Sequence, residues 1–84
     1  MYEVTTDEQS QAQIDALPAD ALAPFAEARA VLELVPWNGL PYHRRQPDSS
    51  MRTLTFGPSG EGKIVYLILE DQCRVDLLVV LWLA

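Results

Sequence analysis

A single cysteine, Cys73, leaves this 84-residue chain unable to form an internal disulfide, and no Cys/His pair stands at metal-ligand spacing. A disulfide scaffold and a zinc module are thereby excluded, and no metal or other cofactor is expected. The longest uncharged apolar stretch, Leu77 to Ala84, is far below the roughly 20 residues that a membrane-spanning helix needs. The opening MYEVTTDEQS has neither the basic start nor the apolar stretch of a signal peptide, so a cytoplasmic protein with no membrane attachment is expected. Basic residues are scarce: six Lys/Arg against twelve Asp/Glu give a net charge of −6, the wrong sign for a chain that grips nucleic acid mainly through phosphates. Glycine is scarce too, and the one glycine-rich run, Gly57 to Gly62, lacks the Gly-Lys-Ser/Thr of a phosphate loop and leads into a strand.

What remains is ordinary globular composition, 49% hydrophobic and 21% charged, enough for one domain over residues 1–84. Its charge is segregated. Glu3, Asp7, Glu8, Asp15, Asp20, Glu27 and Glu33 face only Arg29 in the first 33 residues, whereas the rest of the chain is neutral. Between residues 43 and 63, Arg44, Arg45, Arg52 and Lys63 outnumber Asp48 and Glu61, with His43 beside them. Such a distribution makes the molecule electrically two-sided, although solvated acidic helices and surface arginines account for it equally well.

Alternation over Tyr2–Thr5 predicts a short first strand. Thr5-x-x-Glu8 and Thr6-x-x-Gln9 both fit a capping box, so a helix is expected from about Asp7 until Pro18 closes it. A second helix, with Asp20 as a possible cap and Pro24 in its first turn, carries the stripe Leu22, Phe25, Ala28, Leu32 and Val35 and ends at Pro36. From Pro36 to Ser50 three prolines, a glycine and no apolar period predict a loop, long enough to be functional. Met51–Phe56, Lys63–Glu70 and Arg74–Leu83 read as three strands joined by short turns, an antiparallel meander. The fold class is therefore α+β: a short strand, a two-helix hairpin and a three-stranded meander.

The last two strands are apolar on both sides. Ile64, Tyr66 and Ile68 oppose Val65, Leu67 and Leu69; strict alternation then sets Val75, Leu77, Val79 and Leu81 against Asp76, Leu78, Val80 and Trp82. Two helices shelter one face only. The other needs a partner, or the loop 36–50 folded over it with Trp37, Leu40 and Tyr42. Tyr66, Leu78, Val80 and Trp82 are the expected partner-binding residues, with core packing as the alternative for the aromatics.

This order of elements resembles the RelE/ParE superfamily of type II toxin–antitoxin proteins. The resemblance is carried by the opening Tyr2-Glu3-Val4, the Leu17-Pro18 junction, and the helix end Leu34-Val35-Pro36 with Trp37-Asn38-Gly39. It continues through Arg52-Thr53-Leu54, Lys63-Ile64-Val65-Tyr66 and a last strand of valines and leucines. In RelE-like members it implies a ribosome-dependent endoribonuclease in which the ribose 2′-hydroxyl of mRNA attacks the adjacent phosphate, with an antitoxin blocking the site. Carried onto this chain, Arg52 and Lys63 match the family's basic positions on the second and third strands, which are the first two of the meander. Arg44 and Arg45 are then candidate RNA-phosphate contacts, and His43 brings the side-chain type suited to proton transfer near neutrality. Active members carry further basic residues where Thr53 and Thr55 stand, and a basic, tyrosine-containing tail beyond the last strand. The expectation is thus a RelE-like toxin with weakened or lost cleavage. The alternative is a non-catalytic module of the same fold, ParE-like and acting on a topoisomerase, or a homodimer through the sheet.

Overall fold

The computed structural model describes residues 1–83, and among them run β1 (Glu3–Thr6), α1 (Glu8–Asp15), α2 (Ala19–Leu34), β2 (Leu40–Pro41), β3 (Met51–Phe56), β4 (Gly62–Leu69) and β5 (Arg74–Trp82). The expected strand, helix pair and antiparallel meander are all present. The sheet is wider than expected, with five strands in the order β1-β5-β4-β3-β2. β1 joins parallel to β5, and β2, built from the segment read as a loop, joins antiparallel to β3. The final Ala84 of the apolar run lies outside the described residues. No helix among those described is long and apolar enough to cross a membrane.

Local chemistry explains each boundary. α1 starts one or two residues later than either threonine box would have it: Asp7 is the cap, its carboxylate accepting from Ser10 N at 2.7 Å while Ser10 Oγ accepts from Asp7 N at 3.0 Å. Thr6 instead donates its hydroxyl to Gln11. α2 runs from Ala19 with Pro18 as its uncapped N-terminal residue, so Asp20 lies inside the first turn and not at the cap. Pro24 is interior to the helix, where it withholds the N–H that the Asp20 carbonyl would otherwise accept. Phe25, Ala28 and Leu32 of the expected stripe are buried, joined by Ala21, whereas Leu22 and Val35 face solvent. A stripe with alanines lets α2 approach the sheet closely.

Phe25, Ala28 and Leu32 pack with Val4, Phe56, Ile64, Tyr66, Ile68, Val75, Leu77 and Val80 in one core, to which Ile14, Leu17, Leu54 and Trp82 add partly buried side chains. The last strand reaches this core by a device that alternation alone does not reveal. Val65 pairs with Val79 but Tyr66 pairs with Leu77, leaving Leu78 as an extra, unpaired residue. The bulge reverses the parity of β5. Val80 and Trp82 therefore join Val75 and Leu77 on the helix side, with Trp82 against Phe56 at 5.7 Å between ring centroids, while Val79 and Leu81 turn to the other face. The outer edge of β5 beyond β1 is closed by α1, whose Gln13 Oε1 accepts from Val80 N at 2.8 Å.

Pro36–Asn38 form a single turn of tight helix, and Gly39 brings the chain against the sheet. Tyr66, fully buried, donates its hydroxyl to Pro36 O at 2.6 Å. A Cβ on Gly39 would overlap Tyr66 Oη and lie 2.7 Å from Thr53 O, so the close approach admits glycine alone. Gly39→Ala is expected to cost about 1–3 kcal/mol by overpacking, measured by denaturant unfolding. In a Tyr66→Phe background, where the overlapping hydroxyl is gone, the same substitution should cost less; additive losses would contradict this account of the contact.

Candidate functional site

The face of the sheet away from the helices follows from the register. Thr53, Val65 and Val79 lie across one row, Thr55, Lys63 and Leu81 across the next, and Met51, Leu67 and Asp76 across a third. Val65, Leu67, Leu69 and Val79 are only partly buried and belong to no part of the helix-side core. Leu81 is 40% exposed and Leu40, on β2 opposite Thr53, is 71% exposed. The segment 36–50 does not roof this face. It extends the sheet sideways as β2, leaving Leu40 and Tyr42 in solvent.

At the β2 side Leu40, Pro41, Tyr42, Arg44, Thr53 and Lys63 line a groove of about 660 Å³. Two cations thus border an otherwise apolar and neutral surface. His43, Arg45 and Gln46, with Arg44, line an adjoining hollow, and the His43 ring meets Tyr42 edge-on at 4.9 Å. The chemistry available here is anion contact from Lys63 and Arg44, ring stacking on Tyr42, and apolar contact along Val65, Val79 and Leu81. No three His, Cys, Asp or Glu side chains among the described residues come together as metal ligands.

Arg52 is not part of this groove. It lies on the helix side of β3, opposite Tyr66, and is only 9% exposed. Its Nε donates to Ser49 O at 3.1 Å, Nη1 to Gly39 O at 2.8 Å and Trp37 O at 3.5 Å, and Nη2 to Pro47 O at 2.7 Å. The Trp37 ring stacks on it, 4.9 Å from Cζ to centroid. A sheet therefore separates Arg52 from Lys63, and the expected set His43, Arg52 and Lys63 is not assembled. The signal was in the strand's own parity: Arg52 alternates with Leu54 and Phe56, whereas Thr53 and Thr55 face the groove.

Three of the four expected partner contacts also turn to the helix side. Tyr66 and Val80 are core residues, at 0% and 2% exposure, and Trp82 packs against that core at its rim. The open-face side chains of β5 are Val79 and Leu81 instead, a consequence of the bulge. Leu78 lines a small recess with Thr5, Thr6, Asp7, Arg74 and Asp76 at the β1 edge.

Three carboxylates outside the groove are held by hydrogen bonds. Glu70 accepts from Tyr2 Oη at 2.7 Å and from Trp37 Nε1 at 2.7 Å; the Trp37 bond, then the Tyr2 bond, hold its carboxyl below the ordinary range. The same bond to Glu70 raises the Tyr2 phenol. Burial pulls Asp76 upward, but its bonds to Arg74 at 2.8 Å and Thr5 at 2.5 Å outweigh that and leave it lowered. The Ser10 N–H lowers Asp7. Burial raises Tyr66, partly offset by the charge of Arg52.

No protein-family model matches the sequence, and comparison with curated protein sequences finds no match. Solved structures do match over nearly the whole chain. The isolated RelE toxin of Escherichia coli aligns with a TM-score of 0.80 and 12% identity, over 100% of this chain and 86% of that one. The RelBE2 toxin–antitoxin complex of Mycobacterium tuberculosis gives 0.78 and 23%, over 96% of each chain. The archaeal RelE–RelB complex of Pyrococcus horikoshii gives 0.63 and 17%, over 96% of this chain and 93% of that one. The fold of this chain is thus the fold of the RelE toxins.

The lowered carboxylates give stability that is complete above their unfolded values, about 3.9–4.3, and is lost as pH falls through the folded values. The raised tyrosines act oppositely, their contribution being lost as pH climbs past about 10. Thermal unfolding against pH should therefore show a plateau with an acid and an alkaline limb, and Glu70→Gln should flatten the acid limb. An acid limb unchanged in that variant would contradict the role given to Glu70.

Proposed function

We propose that this chain is the toxin of a type II toxin–antitoxin pair, acting in the cytoplasm, whose uncovered sheet face binds an antitoxin segment and whose Lys63–Arg44 groove holds RNA phosphate. The single observation that supports this most strongly is the open apolar face bordered by two cations, on a fold shared with RelE proteins crystallised with RelB. Each medium-sized apolar side chain left in water forgoes about 1.5–3 kcal/mol, so a partner that covers Val65, Val79, Leu81 and Leu40 gains free energy from all of them. An antitoxin on that face also closes the groove to RNA.

Ribonucleolytic transfer requires a base for the 2′-hydroxyl proton, cations for the charge on the pentacoordinate phosphate, and a donor to the leaving 5′-oxygen as the P–O bond breaks. Lys63 and Arg44 serve the second need, and His43 is the candidate for the first. The third has no assigned residue, and Thr53 and Thr55 are neutral where further cations would act. The reading is therefore RNA binding with weak or lost cleavage, on ribosome-bound mRNA if anywhere. The withdrawal of Arg52 from the groove favours a second reading, a non-catalytic ParE-like or self-associating module that uses the same face.

Induced expression of the chain alone is expected to slow bacterial growth, and co-expression of the adjoining reading frame to restore it. Lys63→Ala with Arg44→Ala should weaken binding of a short single-stranded RNA about tenfold or more, equivalent to about 1.4 kcal/mol, with unfolding unchanged. Normal growth together with no RNA affinity would overturn the toxin reading, and a growth defect indifferent to both substitutions would favour the second.

A further inference from the structure

Residues 39–50 carry Arg44, one of the groove's two cations, on a segment with few bonds of its own beyond its short ladder to β3. Besides the β2–β3 ladder at Leu40–Pro41, its backbone bonds are Gln46 N to His43 O and Ser49 N to Gln46 O, both at 3.0 Å, Tyr42 N to Met51 O and Ile68 N to Ser50 O, both at 2.9 Å, and Gly39 N to Pro36 O at 3.5 Å. Residues 43–49 thus have only two of these bonds, both local. Tyr42 is half-exposed, and Pro41 and Pro47 offer no N–H. What closes the segment is its carbonyls. Those of Gly39 at its start and of Pro47 and Ser49 near its end converge on one guanidinium, that of Arg52, together with that of Trp37.

This is a cage of backbone oxygens around a buried cation. Among the described residues no carboxylate pairs with Arg52. The charge is held by carbonyl dipoles and by the face of Trp37, which is itself pinned through Nε1 to Glu70. Four acceptors spread around a planar fork suit a guanidinium; an ammonium at the same position has its three donors on one atom and cannot reach them all. Between the two clamped ends His43, Arg44 and Arg45 project outward.

We propose that Arg52 is a positioning residue: from the far side of the sheet it fixes the 39–50 segment so that Arg44 and His43 stand at the groove of Lys63. The inference deepens the RNA-binding reading and rests on it only for the binding consequence. Arg52 touches no ligand and acts through the shape of the segment.

Arg52→Ala and Arg52→Lys test it, with circular dichroism and exchange protection of β4 and β5 reporting whether the core stays folded. In both variants amide exchange over residues 40–49 is expected to rise about tenfold or more while β4 and β5 stay protected. RNA affinity should fall about as far as in the Lys63→Ala, Arg44→Ala chain. Millimolar methylguanidinium, far below denaturing concentration, should restore protection and affinity to Arg52→Ala, which has the empty cage, and not to Arg52→Lys. Unchanged exchange over 40–49 in the folded variants overturns the proposal, as does increased exchange with undiminished RNA affinity. Should Arg52→Ala not fold alone, folding only with methylguanidinium supports the cage and Arg52→Lys decides the rest. A wild-type chain without RNA affinity would overturn the functional reading, leaving exchange and rescue to decide the role of Arg52.

Discussion

Two strands that are apolar on both sides, with two α-helices among the described residues to cover them, set the terms for this molecule. β4 and β5 carry the core on one side through Ile64, Tyr66, Ile68, Val75 and Val80. The same strands leave Val65, Leu67, Leu69, Val79 and Leu81 on the other. A domain of 84 residues has little material to spare for a second covering layer. The segment after α2 could have formed one, but its backbone is engaged elsewhere: Gly39 is pressed against Tyr66, and its carbonyls are drawn to Arg52 around the edge of β3. The open face is thus a consequence of where that segment is anchored.

Much of this was legible in the sequence. The order of elements, the antiparallel meander and the two-sided character of the last strands follow from turn residues and period-two patterning. The elements that escaped did so for identifiable reasons. A bulge at Leu78 has no glycine or proline to announce it, and it moves Val80 and Trp82 from one face to the other. At the start of the helix stripe Ala21 is buried in place of the expected Leu22, because alanine counts for less than leucine in a pattern, yet a small residue is what a close helix–sheet contact prefers. β2 is two residues long and contains a proline, so no periodicity could reveal it.

The candidate site divides along the same line. Lys63, Val65 and Leu67 are where strand parity places them, whereas Val79 and Leu81 reach the open face only through the bulge. Arg52 is grouped with Lys63 by the family resemblance, as both match basic strand positions. Parity with Leu54 and Phe56 places it on the buried side, and a buried arginine calls for acceptors on every nitrogen. The carbonyls of the proline-rich segment supply them. One basic residue thus shapes the segment that displays the others, a division of roles that composition does not disclose.

The central claim is that a partner settles on the face the helices leave open. Its most direct test is methyl NMR of the labelled chain titrated with the protein encoded by the adjoining reading frame. The account predicts that the methyl resonances of Val65, Leu67, Val79 and Leu81 shift and become protected from a paramagnetic solvent probe, while those of Leu32, Ile68 and Val75 stay put. Binding that leaves the open-face methyls unshifted and exposed, or that perturbs the helix side instead, would contradict it.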